Sequence, residues 1–408
     1  MEVKSLYRGG FVLLLGFLLV RLGGFVFKII CMNVLTVEAY GEVAIFLILF
    51  NWFVLFATFN VTIGLSKFVA EGKGRDELYY ASALAGSLVL SMVVSALLAL
   101  LSPIISAALN LGQAVVIWAV ACVPFAVVYN IAIFYLRGRF RMKSSVLADS
   151  IMTAVRIAAL VGLLYAGFHH APYMAFMLSF VLIDVYLLAR GGERQSRRGF
   201  GIGEMRSAFM ALLAYSAPVF LGEFLRTFSL GIDRIMLSGF FTTAEAGIYD
   251  VAVLLCIGYV LIANSYSNAL LPLASGSQGD RKRRRSELGR ALKASSLLFV
   301  GYSALLLIAG QPVISMVNPA YMEIFGFLPV LALSYVLIGF LIILTFYANG
   351  IGFQRHTVYA GAVFAFLSLV LNSYLVPSLM YWGAIYALLA SSAASLAVMA
   401  FLIFKVEK

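Results

Sequence analysis

Five basic residues of this 408-residue chain lie inside stretches that are otherwise almost wholly apolar: Arg21 and Lys28, then Arg156, then Arg226 and Arg234. A cation at the centre of a membrane helix opposes insertion by roughly 2.5–3.5 kcal/mol, so such groups persist where water or a partner receives them. Arg21 and Lys28 are seven positions apart, which returns both to nearly the same helix face. Arg226 and Arg234, eight apart, hold the matching places in the second half. Guanidinium groups bind phosphate oxygens through paired N–H donors, most strongly where water is scarce. By position, Arg21, Arg156 and Arg226 are expected near the bilayer midplane, with Lys28 and Arg234 nearer the outer face. Together they are expected to line a central cationic cavity suited to an anionic head group. A lipid-linked pyrophosphate has that chemistry, since its head can pass the basic residues while its chain stays in lipid.

Five acids share these stretches: Asp149, Asp184, Glu223, Asp233 and Asp250. Glu223 and Arg226, three apart, can pair on one helix face. Asp149 and Asp184 near the inner ends, and Asp233 near the outer, are expected within reach of water. Glu223 on the seventh span and Asn372 on the eleventh also offer oxygen ligands for a coupling ion, Na⁺ or H⁺, with Asp250 a weaker proton candidate. No other cofactor is expected. Cys31, Cys122 and Cys256 have neither disulfide nor zinc spacing, and no G-x-x-x-x-G-K-[ST] loop for ATP exists. Pro124 and Pro218 free backbone carbonyls and are expected to act as bending points.

The elements that must hold these residues follow from composition. With 63% hydrophobic residues, 12% charged and a mean hydropathy of +1.01, the chain has more apolar surface than one soluble core can bury, so lipid is its solvent. A spanning helix needs roughly 20 apolar residues. Spans are predicted near 9–33, 40–65, 79–102, 113–136, 146–168, 171–190, 208–239, 246–271, 291–311, 324–348, 357–377 and 383–404. The apolar run after Lys4 and Arg8 is read as an uncleaved first helix rather than a signal peptide.

With the amino end cytoplasmic, alternate segments collect 24 of the 29 basic residues, whereas the opposite loops hold Glu38, Glu42, Glu245, Glu323, His169 and His170 and no Lys or Arg. That segregation predicts an even number of spans with both termini cytoplasmic, in a cell (plasma or inner) membrane. The net charge of +11 and the run Arg281–Lys282–Arg283–Arg284–Arg285 raise the question of nucleic acid. Placed between two spans, the run more simply holds its loop on the cytoplasmic side, with anionic lipid head groups as its next use, and no nucleic-acid partner is expected.

The chain also repeats itself. RLGGFVFKIICMNVLTVEAYGEVAIF from Arg21 aligns with RTFSLGIDRIMLSGFFTTAEAGIYDVAV from Arg226, placing Lys28 on Arg234 and Gly41 on Gly247. An even number of spans separates the copies. The expected architecture is therefore all-α and integral to the membrane, with about twelve helices in two six-helix lobes related by a pseudo-two-fold axis along the membrane normal. Residues 1–190 form the first lobe, 191–206 a cytoplasmic linker rich in Gly and Arg, and 207–408 the second lobe.

Several segments carry a family likeness in order and spacing: AYGEVAIFLI with GLSKFVAEG, YLRGRFRMKSSVLAD, DRIMLSGFFTTAEAGIYDVAVLL leading into NALLPLAS, and LNSYLVPSLMYWGAIYALLAS. Through them the chain resembles the polysaccharide (O-antigen type) flippases of the multidrug/oligosaccharidyl-lipid/polysaccharide exporter superfamily. The resemblance implies a two-lobe fold of twelve to fourteen helices, alternating access, and export of isoprenoid-linked oligosaccharide to the outer leaflet. It further implies a cavity faced by basic residues of helices 1 and 7, with glycan polymerases or glycosyltransferases as partners besides membrane lipids. Twelve helices rather than fourteen point away from lipid II and a peptidoglycan role. The rival on the same fold is a cation-coupled multidrug or small-solute antiporter, against which the basic excess weighs. A membrane glycosyltransferase would need acids gathered beside a sizeable outer loop, and Glu38 and Glu42 stand alone on a short one.

Overall fold

The structure is a computed structural model that describes residues 22–71, 74–191, 200–276 and 281–406. Because lipid offers no hydrogen bonds to the backbone, a chain crossing it must satisfy its peptide groups locally, as a helix. Among the described residues there is accordingly no strand. The helices are α1 Leu22–Val34, α2 Val37–Thr58, α3 Val61–Ala70, α4 Asp76–Ala108, α5 Gln113–Gly138, α6 Met142–Tyr165, α7 Ala171–Gly191 and α8 Ile202–Ser229. They continue as α9 Ile232–Phe240, α10 Thr243–Gly276, α11 Arg281–Val317, α12 Leu328–Gly350, α13 Gln354–Leu379 and α14 Tyr381–Val406, with a 3₁₀ segment Pro319–Gly326 before α12. Ten of these helices are long and apolar enough to cross a membrane by themselves. The order agrees with the twelve expected spans once α2 with α3, and α8 with α9, are each taken as one interrupted span.

Two spans are interrupted, neither of them at a proline. Pro124 and Pro218 lie within unbroken α5 and α8. The first break is at Phe59 and Asn60, both in left-handed backbone at φ 47° and 57°. Asn tolerates that region, but a bulky residue there is an outlier costing on the order of 1–3 kcal/mol. Stacking of Phe59 on Phe220, with ring centroids 4.1 Å apart, contributes toward holding it. The second break is at Leu230–Gly231, between α8 and α9.

Packing divides the chain into two compact units: Phe46–Phe220 with the chain up to Val34, and Leu35–Ile45 with the chain from Leu221 onward. In the first unit α5 is central, with 61% of its apolar window buried against 11% for α4. The buried face of α4 carries Ser82, Ser87, Ser91, Ser102 and Ser106, while Val89, Val93, Leu97, Leu100 and Ile104 are exposed. Small residues inside and aliphatic residues outside are what helix packing in lipid favours, because close backbone approach rather than hydrophobicity drives it. An aromatic cluster on α1, α2 and α7 completes this core, with Phe176 at 4.9 Å from Phe50 and 5.4 Å from Phe46.

In the second unit α10 packs on α12, and α13 on α14. The repeat-related Gly41 and Gly247 meet here. A Cβ on Gly247 would stand 3.0 Å from Gly41 Cα and 2.9 Å from the Val37 carbonyl, and one on Gly41 would collide with the Thr243 carbonyl. Only glycine allows α2 and α10 to approach so closely.

Candidate functional site

Of the five intramembrane cations, Arg21 lies outside the described residues, and Lys28 is half-buried on α1. The other three have three different surroundings. Arg156 on α6 donates from Nε to Ser179 Oγ at 3.2 Å. Its guanidinium carbon lies 3.9 Å from the Phe176 ring centroid and 5.3 Å from that of Phe180. Its Nη2 is buried with no hydrogen-bond partner. Cation–π contact contributes about 0.5–2 kcal/mol, which offsets only part of the roughly 2.5–3.5 kcal/mol insertion cost.

Arg226 takes the pairing that its spacing allowed. Nε donates to Glu223 Oε2 at 3.1 Å, and Nη2 bonds the other carboxylate oxygen. Thr227 Oγ1 adds a longer contact to Glu223 at 3.4 Å. Both charged side chains stay accessible, 56% for Arg226 and 38% for Glu223. The result is an open, neutral pair on α8.

Arg234 is enclosed instead, with 10% of its side chain exposed. Nη1 donates to Asp250 Oδ1 at 2.8 Å, Nε to Asp233 Oδ1 at 3.3 Å, and Nη2 to the Leu230 carbonyl. That carbonyl is one of those left over where α8 stops, so Arg234 caps the break as well as pairing with acids. Tyr40 on α2 donates to Asp250 Oδ2 at 2.9 Å, and Asp233 Oδ1 also accepts the Arg234 backbone N–H at 2.8 Å. Asp233, expected near water, is 1% exposed and Asp250 is fully buried.

The coupling-ion candidates separate in the same way. Glu223 belongs with Arg226, and Asp250 with Arg234 and Tyr40. Asn372 is fully buried on α13. Its Nδ2 donates to the Ser368 carbonyl at 2.7 Å, and its Oδ1 has no hydrogen-bond partner.

Two further acids were expected to meet water and do not. Asp149 is 8% exposed and accepts from Arg137 Nη2 at 3.0 Å and from the Tyr129 hydroxyl. Arg137 Nε also donates to Ser145 Oγ at 3.0 Å. Arg137 stands in a basic segment that the charge pattern alone explains as a topology signal. The clue was in YLRGRFRMKSSVLAD, which holds Arg137, Ser145 and Asp149 across a tight turn. Asp184 on α7 is 6% exposed and neither carboxyl oxygen has a hydrogen-bond partner. Nothing in its local sequence marks it. A cavity of ≈ 830 Å³ opens beside the starts of α4 and α8, lined by Arg75, Asp76, Glu77, Arg139 and Glu204 among others. None of the nominated residues lines it.

These features describe a polytopic helical protein with charged side chains inside its spans, the class to which membrane transporters belong. Solved structures agree in fold. The chain is similar to an inward-facing multidrug resistance MATE family transporter of the MOP superfamily, at 14% identity and a TM-score of 0.76, covering 95% of each chain. It is similar to the lipid II flippase MurJ in its inward closed conformation, at 13% identity and a TM-score of 0.78, covering 96% of this chain and 87% of that one. A MOP superfamily transporter from Pyrococcus furiosus, described as having a binding pocket of reversed polarity, matches at 15% identity and a TM-score of 0.63, with 99% and 96% covered. No curated protein sequence matches the chain.

The fold is thus that of the MOP superfamily transporters, and the protein is a multi-pass membrane protein. A sequence profile described as polysaccharide biosynthesis protein matches residues 33–319, and the chain belongs to that family.

Proposed function

We propose that the protein is a flippase that carries an isoprenoid (pyro)phosphate-linked oligosaccharide from the cytoplasmic to the outer leaflet of the cell membrane by alternating access. Both termini are then cytoplasmic, and the glycan polymerase or glycosyltransferases of the same pathway are its partners. The phosphates pass a cationic cavity built from Arg21, Lys28, Arg156 and Arg226. The observation that carries this reading is the accessible Arg226–Glu223 pair within a membrane helix. Its guanidinium already makes a two-pronged bond to one oxyanion, and a phosphate presents the same paired oxygens. Arg156, in the first unit, keeps one buried donor unused. Arg234 is assigned to holding the fold, because two carboxylates and a carbonyl occupy it.

Glu223, released when phosphate displaces it, is free to take a proton or Na⁺, and the unpartnered Asn372 Oδ1 is a second oxygen for a cation. Asp250 drops out of this set because Arg234 and Tyr40 hold it. The rival reading, a cation-coupled multidrug or small-solute antiporter, draws on the fold shared with the multidrug transporter and would use Glu223 rather than Arg226 to meet its cargo.

Proteoliposomes separate the two. Flipping of a fluorescent lipid-linked oligosaccharide is expected to stop in Arg226→Ala and to survive partly in Arg226→Lys. Should Arg226→Ala flip normally while Glu223→Gln abolishes uptake of a cationic dye, the antiporter reading replaces this one.

A further inference from the structure

We propose that an exposed stripe on the first turns of α11 is a binding site for the head groups of anionic phospholipids. It does not rest on the flippase reading. The helix runs unbroken for 37 residues, or about 55 Å at 1.5 Å per residue. Hydrocarbon accounts for only about 30 Å of this. Every charged residue of α11 lies between Arg281 and Lys293, and none follows from Ala294 to Val317. The boundary at Lys293–Ala294 therefore marks the depth at which head groups meet acyl chains.

Orientation about the helix axis makes the case specific. Arg283, Ser286, Arg290 and Lys293 are all exposed and follow one another at intervals of three or four, so they share one face. The same intervals continue through Leu297, Val300, Ala304 and Ile308, again all exposed, with Leu297 at 73%, Val300 at 68% and Ile308 at 75%. The opposite face is buried through Ser295, Phe299 and Leu306. A phospholipid whose chains lie along Leu297 and Val300 thus has its phosphate level with Lys293 and Arg290.

The first turns of α11 carry the basic run Arg281–Arg285, in which Arg283 Nε donates to Glu287 at 3.1 Å, with Arg290 and Lys293 beyond it. Cations in the first turn oppose the helix dipole, so the run is not there to stabilise α11. An anionic lipid meets both parts of the stripe, charge and apolar surface. A nucleic acid or an acidic soluble protein would use only the charge.

The test uses the purified full-length protein in neutral detergent and native mass spectrometry of retained lipid, with phosphatidylglycerol and phosphatidylcholine supplied together. Phosphatidylglycerol is expected to be retained in preference. Arg290→Gln with Lys293→Gln should weaken that retention about tenfold or more and leave phosphatidylcholine unchanged. Removing two topology signals can disturb insertion, so Ser286→Lys serves as the second variant: adding a cation to the stripe should raise phosphatidylglycerol retention. Equal retention of the two lipids by the native protein would overturn the proposal. So would a Ser286→Lys protein with no gain, or displacement of phosphatidylglycerol by inorganic phosphate or RNA at equal concentration.

Discussion

Arg226 and Arg234 stand eight residues apart on successive helices, and each pairs with an acid, yet their surroundings could hardly differ more. The first shares one carboxylate on its own helix face and keeps 56% of its side chain accessible. The second is closed in by acids from α9 and α10, with a tyrosine from α2 bonded to one of them. An accessible pair on one helix face can exchange its partner at less cost than an enclosed one. For an enclosed cation, removing either side leaves charge stranded. The difference separates a group suited to meeting a moving anion from one that ties elements together. Unit one has a counterpart of the enclosed kind, where Arg137, Asp149 and Tyr129 join α5 to α6.

The comparison is easiest to break at Arg234. Arg234→Ala should destabilise the protein by about 3–5 kcal/mol, because Asp233 and Asp250 are left without their cation, and a collapse of monodisperse yield with a lower midpoint in detergent thermal unfolding would register it. A protein as stable as the native one would mean that Arg234 is not structural. Next comes Gly41→Leu, which forces α2 from α10 and carries Tyr40 away from Asp250; overpacking against backbone should cost about 3 kcal/mol or more, read in the same unfolding assay. Tyr40→Phe removes one hydrogen bond to a charged group and should cost about 1.5–3 kcal/mol at most, with the fold retained. Arg226→Ala should change stability least, by under about 1 kcal/mol, while transport is lost. A large fall in stability in that variant would erase the contrast between the two arginines.

Much of this fold was legible because lipid imposes a simple code. Apolar runs and basic loops gave the spans, and the alignment of Gly41 with Gly247 pointed to two residues that prove to be in contact. What could not be seen were partners from other helices. Asp250 lies sixteen positions from Arg234 on the next helix, so helical spacing alone could not pair them. Asp149, Asp184 and Asp233 were placed near water by their distance along a span, but burial depends on neighbouring helices, and all three are enclosed. The helix interruptions were missed for a related reason. They rest on Phe59 stacking against Phe220 and on Arg234 taking the Leu230 carbonyl, while the prolines that advertise bends sit in continuous helices. Two of the segments that carry the family likeness contain the enclosed networks, so part of that likeness records how the protein is held together.

The hydroxyl-lined side of α4 has a consequence for how substitutions in it should be interpreted. Ser87 and Ser91 are fully buried, whereas Leu100 is 78% exposed. Replacing Ser87 by leucine would make the segment a better substrate for the translocon and a worse neighbour for the helices it touches. Delivery to the bilayer and assembly within it would then move in opposite directions, and a hydropathy scale would score the defect as an improvement.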